Sequence, residues 1–571
     1  MSEQIDRDRS ISALRTLRFP EDEDLFWYRD DMHEPYPISP LGMTTIQKHQ
    51  AWGFQVGAET SMAPSRGAHV KLYRGKVYLG FELVRDPAEL AGRKKRRDEY
   101  ITYCRDNWDE FYDMHIDEVK ANLDALAGVD ADRLSTRDMV SYLRKSEEIS
   151  RRNWEIHFIL MYPATIIYLE FEEFCRRHGL SEEECDAMLK GFDSMAAKTD
   201  QAICELARYA DELAITEVLL AQESVKVISK LDGIPEAGAW LASLDRFLKV
   251  YGNRLSAAHI DITSPTWRED PAPVIETIKS YLPRLQADWD IEKERSNIIA
   301  RAGRVVDQFM DSLSGEADKT EFSRLLEIAR KVYRFQEDHN FYIDMGSTAA
   351  LHNTAMACGR RLQSYGLLQT AGDVVFLTFS ELTEVLSDLS FNEKIARHHF
   401  GRLVPGLVRE RKASWEQLRR TREAPLTVGP VPDQMTDPIA VKVLGIVDSD
   451  VYPRDEGKAT GKLKGFRGAP GVVEGRARVV TSFEDFPRLQ VGEILVCPAT
   501  TTSWTSLFLK ISGVVTDTGG MLSHTAIAAG EYGVPAVVGT WNATSSIQDG
   551  DLIQVNGDEG VVEVKQRARP A

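Results

Sequence analysis

Past the first hundred residues, hydrophobic periodicity changes from helical to strand-like near residue 465, and that change limits the possible folds more than any other feature. From about residue 100 to 425, apolar residues recur at three- and four-residue spacing, as in DEFYDMHIDEVKANLDALAG (109–128) and SEEECDAMLKGFDSMAAKTDQAICELARYADELA (181–214). Ser or Thr stands near several starts and Gly near the stops, so this stretch reads as helix after helix. After Gly465 the pattern becomes short β-branched runs bounded by Gly and Asp: GVVEGRARVV, EILVCPAT, ISGVVTDTGG, GVPAVVGT and DLIQVNGDEGVVEV. These read as strands, with AIAAGEYG as a short helix between two of them. The predicted fold class is multi-domain: a large, mainly α-helical N-terminal domain and a small C-terminal α/β domain.

At 571 residues the chain exceeds what one hydrophobic core supports. Residues 1–100 read as an irregular segment of the N-terminal domain, rich in Pro, aromatics and acids (LRFPEDEDLFWYRDDMHEPYPISPLG, 17–42), with a short hairpin around Arg74 and Gly75 in KLYRGKVYLGFEL. Residues 101–425 form the helical body. Residues 426–464 contain LTVGPVPDQMTDP and YPRDEGKATGKLK and read as a flexible linker, and 465–571 as the α/β domain. Some twenty flexible residues have a root-mean-square reach of ~25 Å, which lets one domain visit two sites.

With 70 basic against 88 acidic residues the net charge is −18, which disfavours nucleic acid and anionic lipid as partners. The six cysteines show no CxxC pair or metal-ligand spacing, which predicts free thiols in a reducing cytoplasm and no metal site. MSEQIDRDRS lacks an apolar signal core. The longest apolar stretch, Ile156 to Phe171, is broken by His157, Pro163 and Glu170, so neither export nor a membrane span is expected.

The most informative segment is TDTGGMLSHTAIAAGEYGVPAVVG (516–539). A strand runs into Gly519 and Gly520, whose bare backbone allows N–H groups to approach an anion. Ser523 and His524 then open a helix, where the free N–H groups and the dipole favour a phosphoryl group. A neutral imidazole nitrogen is a competent nucleophile at neutral pH. The competing reading of His524 is a buried, hydrogen-bonded ring after a glycine turn.

From about Gly465 to Val564 the chain resembles the swivelling phosphohistidine domain of the PEP-utilising enzymes: PEP synthase, pyruvate phosphate dikinase, rifampin phosphotransferase and enzyme I of the sugar phosphotransferase system. GAPGVVEGRARVV, GEILVCPATTTSWTSLF, the GGMLSH segment and DGDLIQVNGDEGVV carry the resemblance in order and spacing. It implies that His524 is phosphorylated and that Thr518, Gly519, Gly520 and Ser523 build its loop. Ser503 stands where the family usually has Pro, and Gly530 where it has Arg.

The helical body resembles the acceptor-binding region of rifampin phosphotransferase and of phenylphosphate synthase-like dikinases, through Trp27 with HEPYPISPLG, YGNR (251–254), DITSPTWREDP (261–271), RFQEDHNFY (334–342) and GDVVFLTFSEL (372–382). That resemblance implies an ATP-dependent phosphotransferase. ATP and Mg²⁺ would sit on a separate ATP-grasp subunit, because no ATP-grasp pattern or GxxxxGK[ST] loop is legible and no PEP-binding barrel is expected after Ala571. The acceptor would be a small phenol, giving an aryl phosphate, AMP and phosphate. Arg254 and Arg334 are candidates for a phosphate clamp, against the commoner fate of a structural ion pair. His33 and His259 are candidates for the base that takes the acceptor's proton. Trp27, Tyr28, Tyr36, Trp52, Phe54, Trp154, Phe158 and Tyr162 supply aromatic surface for an apolar acceptor, or core. Two alternatives stay open: a phosphocarrier or regulatory protein without small-molecule chemistry, and a PEP synthase-like phosphotransferase with another acceptor.

Overall fold

A computed structural model of the chain describes residues 25–256, 260–419, 424–446, 461–481, 483–500 and 502–568. Its N-terminal part opens with strand β1 (Phe26–Arg29), helix α1 (Lys48–Thr60) and a hairpin of β2 (Ser65–Tyr73) and β3 (Lys76–Leu83). Arg74 and Gly75 both take positive φ (51° and 79°), as a two-residue turn matched to strand twist requires. The long helix α2 (Thr136–Arg177) starts at Ser135, whose hydroxyl accepts from the Asp138 N–H. It runs through the body with Trp154, Ile156, Phe158, Tyr162, Ile167, Tyr168 and Phe171 buried. The stretch that raised the question of a membrane is therefore the core of the body, and no helix among the described residues is long and apolar enough to cross a membrane.

Four further helices frame the site: α3 (Met195–Glu212), α4 (Ala272–Gln286), α5 (Ile291–Ser312) and α6 (Glu316–His339). After α6 the chain makes a wide π-helical turn, Asn340–Met345, before α7 (Gly346–Ser364).

Part of the expected linker is fixed to the body. Strand β4 (Thr427–Val428) adds antiparallel to β1, giving a sheet ordered β2-β3-β1-β4. Helix α8 (Pro438–Lys442) is capped by Asp437, whose carboxylate accepts from the Ile439 and Ala440 N–H groups. The same buried carboxylate accepts from the hydroxyls of Ser65 and Tyr162 (2.8 Å for Tyr162), and Lys442 pairs with Glu172 at 2.8 Å. Pro-rich composition signalled the absence of long elements there, but not these anchors. Residues 447–460 of the expected linker lie outside the described residues.

The C-terminal domain contains β5 (Lys462–Lys464), β6 (Phe466–Ala469), β7 (Val472–Val479), β8 (Ile494–Cys497), β9 (Gly513–Thr516), helix α9 (His524–Tyr532), β10 (Ala536–Val538), β11 (Leu552–Asn556) and β12 (Val561–Gln566). They form one sheet, ordered β5-β12-β11-β7-β8-β9-β10-β6, with parallel pairing from β7 through β10. Along β8, Ile494 and Val496 enter one apolar cluster while Leu495 and Cys497 enter another. Both faces are covered, which is why this strand is continuously apolar.

Candidate active site

His524 is the first residue of α9, and Ser523 caps the helix by accepting from the Ala526 N–H. The loop ahead of it is shaped by Gly519, at φ 111°, where a Cβ would come within 2.8 Å of the Ser523 hydroxyl. Gly520 serves close approach of another kind. Its N–H donates to the Val443 carbonyl (3.0 Å), the Leu522 N–H donates to Lys442 (3.1 Å), and a Cβ at 520 would stand 2.6 Å from the Lys442 oxygen. The expectation was that this loop lends its amides to an anion; the Gly520 amide is instead spent on the linker. Thr518 donates its hydroxyl to the Pro498 carbonyl at 3.1 Å.

The domain is docked on the body so that the His524 ring meets α6. Its Nδ1 lies 3.2 and 3.4 Å from the two carboxylate oxygens of Glu337, both side chains are buried, and among the described residues Nε2 has no partner. A carboxylate that accepts the Nδ1 proton leaves the lone pair on Nε2, the nitrogen free to react.

Asp200 of α3 is in the same group. It accepts from the Tyr532 hydroxyl, and burial pushes its carboxyl up to about 6 against the pull of Tyr532 and Arg254. Arg254 is buried, its guanidinium 4.7 Å from the ring centre of Trp267 and its Nη1 donating to Thr199 at 3.3 Å. Burial lowers it to about 10, opposed by Asp200 and Glu337, so it stays charged at neutral pH. Arg254 thus backs the two carboxylates and lines neither cavity beside His524, unlike the phosphate clamp expected of it. Arg334 lies on α6 but pairs with Asp338 at 2.9 Å, is partly exposed, and also lines neither cavity.

Two cavities meet at His524. The larger, about 510 Å³, lies between body and C-terminal domain and is lined by Phe192, Asp200, Trp289, Ile291, Ile298, Glu337, Phe508, Ile527, Glu531 and Tyr532 among others. Glu531 accepts from the Gly191 N–H at 3.0 Å, and burial pushes its carboxyl up to about 7 despite Lys190. A Cβ at Gly530 would stand 2.7 Å from Lys190 Nζ, so a cation of the body occupies the space beside this glycine. The smaller cavity, about 40 Å³, is lined by His33, Gln336, His339, Asp344, Thr518, Ser523 and His524 among others. His33 holds both Asp30 oxygens at 2.9 Å through Nδ1; burial acts to lower its pKa, but Asp30 carries it above the usual histidine value.

Of the residues singled out in the sequence, His33, Thr518, Ser523 and His524 meet at one place, and His259 lies outside the described residues. The aromatic set read as acceptor surface or core does not line either cavity, and Trp27, Tyr28, Phe54, Trp154, Phe158 and Tyr162 are core. The aromatic wall comes from Phe192, Trp289, Phe508 and Tyr532, which no local pattern marks. Glu337 is inside the RFQEDHNFY segment, where attention fell on the arginine; Asp200 stands in an ordinary amphipathic helix and carries no signal.

Residues 489–560 match the family model of the PEP-utilising enzyme mobile domain. The C-terminal domain is a PEP-utilising mobile domain. Residues 157–337 of the body match the rifampicin phosphotransferase fourth domain, so the mobile domain's histidine rests on the last residue of that match, Glu337. Over its length the chain is similar to chondramide synthase cmdD of Chondromyces crocatus (29% identical over 553 residues, 95% of this chain and 14% of that protein). It is also similar to the uncharacterized phosphotransferase YvkC of Bacillus subtilis (25% over 575 residues, 99% and 65%). A third similarity, to the rifampicin phosphotransferase of Bacillus subtilis, is 31% over 322 residues, 56% of this chain and 34% of that protein. The chain therefore spans between 14 and 65% of the length of these relatives. The mobile domain is the part whose family match includes His524.

Proposed function

We propose that this chain is the acceptor half of a phosphotransferase of the rifampicin phosphotransferase type, in which Nε2 of His524 carries a phosphoryl group and delivers it to the hydroxyl of a small molecule in the 510 Å³ cavity. The observation that carries this reading is the pairing of Nδ1 with Glu337 while Nε2, on a ring that lines both cavities, has no partner among the described residues. The cavity falls within the usual range for small ligands, ~300–1,000 Å³. Its aromatic wall suits a flat apolar acceptor such as a phenol, and chemistry at a phenol yields an aryl phosphate.

In the transfer, the P–N bond to Nε2 breaks, the P–O bond to the acceptor forms, and the acceptor's proton passes to Asp200. That carboxylate lines the cavity beside His524 and, at about 6, is mostly ionised at neutral pH. Glu337 holds the ring in the reacting tautomer throughout, and Arg254 offsets the charge of the two carboxylates.

The phosphoryl donor is ATP with Mg²⁺, on an ATP-grasp module outside the described residues. The cavity wall does not fit a triphosphate: it offers Asp200, Glu292, Glu294, Glu337 and Glu531 against Arg284 and Arg295. The docked arrangement is the acceptor-facing position, and the linker carries the domain to the donor.

The test is transfer of label from ATP to the chain in the presence of an ATP-grasp protein, followed by discharge over a panel of phenols. Acid-labile label on wild type, absent from His524→Ala and released by one phenol, is the expected result. Label on His524→Ala equal to that on wild type sinks the reading.

A further inference from the structure

Behind the small cavity, three buried side chains converge from distant parts of the body: His157 from the middle of α2, His339 at the end of α6, and Asp344 in the π-helical turn. One ligand atom from each lies within 4.8 Å of the others. The wide i→i+5 turn is what brings His339 and Asp344, five residues apart, toward one face.

Hydrogen bonding accounts for only part of this cluster. His339 Nδ1 stands 3.0 Å from the Phe335 carbonyl, a contact that needs a proton on Nδ1 and leaves a lone pair on Nε2. That Nε2 faces Asp344 Oδ2 at 3.6 Å, so two acceptors confront each other. Asp344 Oδ1 lies 3.2 Å from His157 Nε2 and pairs with it, while His157 Nδ1 is buried without a partner among the described residues. An extra proton would reconcile one histidine with the carboxylate; a cation reconciles all three at once.

We propose that His157, His339 and Asp344 bind one divalent first-row transition-metal ion, whose open position faces the small cavity beside His524. Two imidazoles and one carboxylate are a ligand set for zinc, manganese or iron, whereas Mg²⁺ and Ca²⁺ prefer oxygen. The Phe335 carbonyl supplies the outer contact that fixes a metal-binding histidine's tautomer. His339 and Asp344 line the cavity and His157 does not, which sets the direction of the open position. His33 lines the same cavity with Nδ1 committed to Asp30, so Nε2 is its remaining nitrogen. The absence of cysteine pairs pointed away from a metal; this set has no sequence spacing to recognise, because its members are 157, 339 and 344.

The site stands apart from the proposed transfer chemistry and is tested without it. Full-length protein is stripped with a chelator, desalted, and titrated separately with Zn²⁺, Co²⁺ and Mg²⁺. One retained equivalent of zinc is expected, together with the visible absorption of Co²⁺ bound by nitrogen, no displacement by excess Mg²⁺, and unchanged binding in His524→Ala. His339→Gln and Asp344→Asn should bind zinc at least ~10-fold more weakly. The Co²⁺ spectrum of the wild type needs no variant to fold. Failure of the wild type to retain zinc, a Co²⁺ spectrum of oxygen ligands alone, or equal binding by a folded Asp344→Asn overturns the proposal and leaves an ordinary buried ion pair.

Discussion

Replacing Glu337 by Gln keeps the size of the side chain and removes its charge, which isolates what the carboxylate does for His524. Either carboxylate oxygen accepts the Nδ1 proton, at 3.2 and 3.4 Å. An amide accepts through one atom only, and turned the other way it donates to Nδ1, favouring the tautomer with the proton on the reacting nitrogen. A hydrogen bond to a charged group contributes roughly 1.5–3 kcal/mol. The distance is longer than the ~2.7–2.9 Å of the strongest such bonds, so the lower part of that range, about 1.5–2 kcal/mol, applies. At ~1.36 kcal/mol per factor of ten, phosphorylation of His524 in Glu337→Gln should slow by roughly 10- to 30-fold. The assay uses phosphoramidate as a small chemical donor, follows acid-labile phosphate with time at fixed pH, and takes His524→Ala as the blank. Because no partner protein enters, the rate reports on the ring alone. Phosphorylation of Glu337→Gln as fast as wild type would refute the assignment of Glu337 as the orienting group.

Two further perturbations test the surroundings. Glu531 has its carboxyl raised from 4.5 to about 7, so across that window the native state binds more protons than the unfolded chain and stability falls as pH rises; Glu531→Gln should flatten that slope in thermal melts taken across the window, and an unchanged slope removes Glu531 as its source. Gly520→Ala puts a Cβ 2.6 Å from the Lys442 oxygen and 3.0 Å from the Gly445 nitrogen, both backbone, and should cost the docked state roughly 1–3 kcal/mol. Faster proteolysis between body and C-terminal domain reads that loss; wild-type resistance would mean the loop does not depend on that contact.

The overall architecture was legible in the sequence because periodicity is local: the switch from helical spacing to β-branched runs separates the helical body from the α/β domain. The segment around His524 was legible for a related reason, since Gly519, Gly520, Ser523 and the ring lie within six consecutive residues. The rest of the site was not. Glu337, Asp200 and Arg254 come from three separate segments of the body and meet only through tertiary packing, and each sits in a segment that also has an ordinary structural reading. Arg254 and Arg334 show the limit most clearly. Sequence can name an arginine that suits phosphate, but only packing reveals that one faces Asp200 and Glu337 and the other Asp338. The aromatic residues stay ambiguous in sequence for the complementary reason: large rings gather in cores as readily as in cavities, and composition does not separate the two uses.

The short helix at 438–442 grips both neighbours, the body through Asp437 and Lys442 and the glycine loop through the carbonyls of residues 442 and 443. On the proposed swivel, departure of the C-terminal domain breaks two main-chain bonds beside the histidine itself. On the same proposal each return would re-form these two bonds and bring the ring back to Glu337 in one orientation, however far the domain had travelled.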